Sequence, residues 1–197
     1  MTALAVRDTG FLPLPTDGFR VPRRWRAGHS LLVPAGPAWV ELDFAAVVAS
    51  RSKLKHLFGP SDPWPPEDLD RETDRADLEW HQAEFLARRS FAYHLLNHDA
   101  DQCLGCLYIY PTASRDHDAE AYLWTHIDLD RARAARIETE VIDWVTHQWP
   151  LAAVAWPGRF IPFADWEDAA LPNYYACYRT VRAPPEQGTD TTTDPST

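Results

Sequence analysis

The chain is poor in glycine, with eight in 197 residues against seventeen prolines, and has none between Gly105 and Gly158. Glycine lets a backbone approach a ligand closely or turn through positive φ, so the middle of the chain must build its turns without it. Cysteine is scarce as well. Cys103, Cys106 and Cys177 cannot make a disulfide framework, and the expectation is reduced thiols in a cytoplasmic protein. Cys103-Leu-Gly-Cys106 has the C-x-x-C spelling, but as half a zinc site it lacks a second pair, and as a redox motif it should open a helix, whereas it enters a strand. No apolar run approaches the roughly 20 residues of a membrane span, and the N-terminus lacks the apolar stretch of a signal peptide. Positive charge is short too. Nineteen Lys and Arg against 29 Asp and Glu leave a net charge of −10, which disfavours general nucleic-acid binding and docking to an anionic membrane. A cationic or amine-bearing partner suits such a surface better.

What is abundant is apolar and aromatic. Hydrophobic residues make up 45% and charged residues 24%, with nine Trp, seven Tyr and eight Phe. That is the composition of a globular protein, and the length suits a single domain. Residues 1–29 carry few periodic signals and are expected as an extended arm. A first strand is expected over residues 30–33. Val40, Phe44, Val47 and Val48 fall at helical spacing and predict a helix over 38–50, with a second short one over 53–58. The run from Gly59 to Pro66 must be a loop, with Trp64 plugging the core or covering a ligand. A charged helix over 71–88 follows.

From Ser90 the period changes to two. Residues 91–96 and 104–110 predict a β-hairpin, and 119–127 a third strand. Ala134, Ile137, Val141, Trp144 and Val145 mark a long amphipathic helix stopped by Pro150. A buried strand at 152–156, a helical turn at 165–170 and a last strand at 174–181 complete a domain spanning 30–182. Residues 183–197 have no apolar anchor and are expected to be disordered.

This order, with Leu104-Gly105-Cys106-Leu107-Tyr108-Ile109-Tyr110-Pro111, Ala119-Glu120-Ala121-Tyr122-Leu123-Trp124 and the helix from Ile137 to Trp144, resembles the GNAT (Gcn5-related) N-acetyltransferase family. The resemblance implies an α/β (α+β) domain with a mixed, mostly antiparallel sheet flanked by helices on both faces. It also implies acetyl-CoA as co-substrate and an amine of a small molecule or protein as acceptor. In that family, splayed strands expose backbone to the pantetheine arm, and a glycine-rich loop wraps the pyrophosphate at a helix N-terminus. The matching positions here are Trp124, Thr125, His126, Ile127, Arg131, Arg133, Ala134 and Arg136. The sequence departs from the family at this loop. In the best register Ala134 stands at the first glycine position and Arg136 at the second, and Asp128 or Asp130 would cap the helix where a phosphate would otherwise accept bonds. The arginines could restore a phosphate site through side chains, or form a solvated face paired with Glu138 and Glu140.

The resemblance implies Glu120 as general base and Tyr174 or Tyr175 as general acid. If Tyr122 and Trp124 point into the core, Glu120 shares their face and its pKa should be raised. Eight histidines invite a metal reading, but His94 and His98 do not converge on a strand, and His117 and His126 have no evident partners; no metal is expected. Two functions remain open: a GNAT-like acyltransferase, with a homodimer as an admissible assembly, and a GNAT-fold binding or scaffolding protein that has lost acetyl-CoA binding.

Overall fold

The period-two segments form the centre of a six-stranded sheet in the order β1-β2-β3-β4-β5-β6. The strands are β1 (Trp25–Arg26), β2 (Leu31–Pro34), β3 (Phe91–Leu96), β4 (Cys103–Tyr110), β5 (Ala119–Thr125) and β6 (Val154–Ala155). The first five pair antiparallel and β6 joins β5 in parallel. The structure, a computed structural model, describes Leu4, Val6, Arg7 and residues 10–179. The expected disordered tail and the end of the expected last strand lie outside the described residues. Among the described residues no helix is long and apolar enough to cross a membrane.

Five helices accompany the sheet: α1 (Val40–Leu54), α2 (Arg71–Leu86), α3 (Arg131–Gln148), α4 (Phe163–Asp168) and α5 (Tyr174–Arg179). Alternation along the strands divides the core in two. One face presents Leu31, Val33, Ala92, Cys106, Tyr108, Tyr110, Tyr122 and Trp124 to α1, α2 and α5. The other presents Leu32, Phe91, Tyr93, Leu107, Ile109, Ala121 and Leu123 to the stripe Ile137, Val141, Trp144 and Val145 of α3. This is the mixed, mostly antiparallel sheet with helices on both faces that the family resemblance implies.

Three expectations are corrected. The separate helix at 53–58 does not form; α1 runs on to Leu54 and is followed by turns. The last element is the helix α5, not a strand, because Tyr174 and Tyr175 lie on one face of it and reach α2 with their hydroxyls. The arm is not free of the sheet. Trp25 and Arg26 add an edge strand, Leu14 is buried, and Trp25 stacks on Trp144 at 4.8 Å between ring centroids.

One irregularity sets the register of β4. Leu95 pairs with Gly105 but Leu96 pairs with Cys103, so Leu104 is an extra residue on the longer strand. Such a bulge reverses the alternation beyond it. Cys103 and Cys106, three apart, therefore both face the α1 side, while Leu104 faces α3. Gly105 has φ +147, and a Cβ there would sit 2.0 Å from the carbonyl oxygen of Trp124. Only glycine fits. Gly105→Ala should therefore cost about 3 kcal/mol or more of stability; a urea midpoint unchanged from the parent would show that the bulge does not need glycine.

Candidate functional site

β5 and β6 pair over two positions only, Ala119 with Val154 and Glu120 with Ala155. Beyond them the chain turns away through Pro157 and Gly158, leaving a cleft of about 240 Å³ between the diverging strands. Lys53, Lys55 and His56 line it from the end of α1 and the following turn, Tyr122 from β5, and Arg159 and Phe163 from the chain beyond β6. A cleft with this density of basic side chains stands out in a protein of net charge −10.

These cations are strapped to the open edge of β5. Arg159 donates to the Leu123 carbonyl at 3.3 Å and pairs with Glu138 at 2.7 Å. Lys53 Nζ donates to the Thr125 carbonyl at 2.7 Å and to Thr125 Oγ1 at 2.8 Å, and that hydroxyl donates to Glu138 Oε1 at 3.2 Å. Burial lowers the Lys53 pKa, with Glu138 opposing and Arg159 assisting. The result is a network of two cations and one carboxylate across the mouth of the splay.

At its vertex stands Glu120, the last β5 residue paired to β6. It faces the same side as Tyr122, opposite Tyr110 on β4, and is fully buried. Among the described residues no donor reaches either carboxylate oxygen with good hydrogen-bond geometry, although Thr112, the Tyr174 backbone and Tyr122 lie near it. Burial pushes its pKa up to about 8, with Thr112, the Tyr174 backbone and Tyr122 countering only in part. The Tyr122 hydroxyl next to it likewise has no partner of good hydrogen-bond geometry among the described residues, with Glu120 and Asn173 its polar neighbours. A buried carboxyl and a phenol side by side make an acid–base pair without assigned work.

The start of α3 is a different kind of place. Asp130 caps it, its carboxylate accepting from the Arg133 amide at 2.9 Å, which holds the Asp130 carboxyl below its ordinary range. The preceding amides are also used. Ile127 N–H donates to Ser50 Oγ at 3.1 Å, Asp128 N–H to His126 Nδ1 at 3.2 Å and Leu129 N–H to the His126 carbonyl at 3.2 Å. A phosphate here would have to displace the chain's own acceptors.

The residues expected to hold a cofactor therefore scatter. Trp124 turns into the core, its indole N–H 3.4 Å from the Tyr108 hydroxyl. Thr125 is buried within the cationic strap. Ile127, Arg131 and Arg136 are exposed, and the Ala134 amide closes on the Asp130 carbonyl. His126 and Arg133 do meet, beside a second cleft of about 370 Å³ bounded by Leu42, Ala46 and Cys103. Of the two readings of the arginines, pairing with Glu138 and Glu140 meets competition, since those carboxylates engage Arg159 and His29. Tyr174 and Tyr175 donate to Glu84 and Asp77 at 2.8 Å each, so both hydroxyls are committed to α2 carboxylates. Sequence reasoning missed Lys53, His56 and Arg159, because nothing in their local pattern says that the end of α1 and the chain after β6 meet at one strand edge. The one available signal was the basic cluster Lys53, Lys55 and His56 inside an acidic chain.

Two measurements test the electrostatics of this region. In the folded protein Glu120 holds its proton up to about pH 8, whereas in the unfolded chain it ionises in the ordinary carboxylate range. The stability linked to this raised pKa is complete at acid pH and is lost as pH rises towards 8. Asp74, also pushed up to about 8, acts in the same sense in parent and variant alike. Glu120→Gln should thus be more stable than the parent at pH 8, by on the order of 3 kcal/mol, and close to it at pH 4. Parallel stability–pH curves would remove Glu120 as a buried titrating group. Asp130→Ala should lower the urea midpoint by removing the α3 cap, and an unchanged midpoint would show that the cap is idle.

No protein-family model and no curated protein matches the chain. Solved structures do resemble it. They include a protein described as a GnaT-family acetyltransferase from Bordetella pertussis (14% identity, TM-score 0.44, covering 64% of this chain and 74% of that one). An acetyl transferase from Salmonella typhimurium that modifies the N-terminal serine of a 50S ribosomal subunit protein aligns at 10% identity and TM-score 0.47, over 62% of this chain and 66% of its own. A ribosomal-protein-S5-alanine acetyltransferase from Vibrio fischeri gives 11% identity and TM-score 0.47, again over 62% and 66%. The chain thus spans between 66% and 74% of the length of these structures.

Proposed function

We propose that the chain is a GNAT-like acyltransferase that takes an acyl-CoA at the cleft between β5 and β6 and passes the acyl group to an amine. The observation that carries this reading is the juxtaposition of a strand splay, a basic rim of Lys53, Lys55, His56 and Arg159, and Tyr122 in the cleft wall with the buried Glu120 behind it at the last β5–β6 pair. The open edge of β5 supplies backbone groups to the donor's amide arm, and the basic rim supplies charge to its phosphates. This grip differs from a glycine-rich loop, since Asp130 and the amides around His126 are already satisfied at α3.

In the reaction the amine nitrogen bonds to the thioester carbonyl carbon and the carbon–sulfur bond breaks, the sulfur leaving with the electron pair. Glu120, ionised, accepts the proton lost by the amine, and the Tyr122 hydroxyl beside it gives one to the departing thiolate. The proton on Glu120 then restores the phenol, so the net transfer is from nitrogen to sulfur. Tyr122 replaces Tyr174 and Tyr175 in this role because their hydroxyls are bound to Glu84 and Asp77. The acidic surface favours a cationic acceptor, of small-molecule or protein origin.

A second reading has its own observation. The strap of Arg159 and Glu138 already satisfies the Leu123 carbonyl, as it would in a GNAT-fold binding protein that has given up acetyl-CoA.

Thermal melting with acetyl-CoA separates the two. A donor at 100 times its dissociation constant stabilises by about 2.7 kcal/mol, and Arg159→Ala should weaken binding about tenfold or more by removing a charge-assisted contact. kcat/KM should rise with pH to a plateau above about 8, where Glu120 is ionised. Absence of any shift at millimolar acetyl-CoA would leave the second reading standing.

A further inference from the structure

The Cys103-x-x-Cys106 pair does not stand alone. Asp43 of α1 and His94 of β3 reach the same point, and one ligand atom from each of the four side chains lies within 4.8 Å of every other. All four residues are buried, His94 completely. His94 Nδ1 is 3.2 Å from Asp43 Oδ1, Cys106 Sγ is 3.3 Å from the same oxygen, and Cys106 Sγ is 3.4 Å from His94 Nδ1. Around a tetrahedral zinc ion with ordinary ligand lengths, donor atoms of these kinds stand roughly 3.3–3.8 Å apart. The three edges among Asp43, His94 and Cys106 fall within about 0.3 Å of these spacings, and the Cys103 thiol lies within 4.8 Å of each of the three.

Hydrogen bonding alone leaves this triangle incomplete. The Cys106 thiol and one imidazole N–H bring two hydrogens to three short edges, and a hydrogen lies along one edge only. A cation at the centre accounts for all three. Thiolate, imidazole and carboxylate together in tetrahedral array are donors that suit zinc rather than magnesium or calcium.

The fold builds the site. The bulge at Leu104 is what turns both cysteines to the α1 side, and Gly105 is what permits the bulge. Asp74 of α2 lies against Asp43, in the place of a neighbour that orients a ligating carboxylate. Cys103 also borders the 370 Å³ surface cleft, which gives an ion a way in. One contact is less suited. The buried Gly36 amide donates to His94 Nε2 at 3.4 Å, and binding of a metal at Nδ1 would leave a proton on Nε2, so this long bond would have to be given up.

We infer that Asp43, His94, Cys103 and Cys106 hold a zinc ion that fastens α1 to the β3–β4 hairpin. With four protein ligands the ion has no open position, which makes it a structural centre rather than part of acyl transfer. It fixes α1, the helix that carries Lys53 to the edge of β5. This centre is independent of whether the cleft binds acyl-CoA.

The test uses the full chain, purified without a metal-binding tag under reducing conditions. Elemental analysis should find one zinc per chain after zinc reconstitution and dialysis. Cobalt added in its place should give intense visible d–d bands and near-ultraviolet thiolate charge-transfer bands. Cys106→Ser should lose the metal and weaken those bands. Should that variant fail to fold, the cobalt spectrum of the parent and the fall of its Tm on chelation, reversed by zinc, carry the decision. Less than a tenth of an equivalent of zinc, a cobalt spectrum without thiolate bands, or a Tm indifferent to chelator would each overturn the assignment.

Discussion

The close approach of Gly105 to the Trp124 carbonyl governs the rest of the structure. It permits the bulge at Leu104, and the bulge fixes which face every later residue of β4 presents. Cys106, Tyr108 and Tyr110 turn to α1 and α2, while Leu107 and Ile109 pack on α3. Tyr110 lies opposite Glu120, so the same register delivers the carboxyl to the vertex of the splay. Regular alternation without the bulge would send Cys103 to the α3 side, away from Cys106, and the cysteine–histidine cluster would not form.

The second constraint lies at the other edge of β5. Parallel pairing with β6 stops after Glu120, and an unpaired strand edge leaves carbonyls that must find donors. Arg159 and Lys53 supply them. The open edge therefore explains both the basic residues and the cleft they line, and it links the position of α1 to that of β5. Whatever holds α1 in place also holds Lys53 at Thr125.

The sequence was legible where a period is local. The hairpin, β5 and α3 follow from alternation and from the stripe Ile137, Val141, Trp144 and Val145, and the Asp130 cap follows from one side chain before a helix start. That Glu120 shares a face with Tyr122 was readable for the same reason, whereas the alternation alone did not say that this face points inward. What was not legible depends on chain segments far apart. Asp43 and Cys106 are 63 positions apart and meet only because of the bulge, which a lone Gly105 in an apolar run barely signals. Arg159 reaches Glu138 and Leu123 from a loop with no periodic pattern. Helix α5 read as a strand because apolar and aromatic residues dominate a short segment, where the two periods cannot be told apart.

The two layers of the core differ in kind, and the difference locates function. The α3 layer is built from Leu, Ile, Val, Phe and Trp, with Tyr93 reaching out to the Pro22 carbonyl. The α1–α2 layer buries Asp43, Asp74, His81, Glu84, His94 and Glu120. Buried ionisable groups cost free energy that pairing recovers only in part, and apolar residues of similar volume would serve stability better. Some of that cost is offset by structure, as where Tyr174 binds Glu84 and Tyr175 with Arg179 binds Asp77. For Glu120 and for one oxygen of Asp74 no partner of good hydrogen-bond geometry is found among the described residues. A fold that could have been made from one apolar layer twice keeps its charged groups on the side where the cleft and the cysteine pair lie, so selection for stability alone does not account for them.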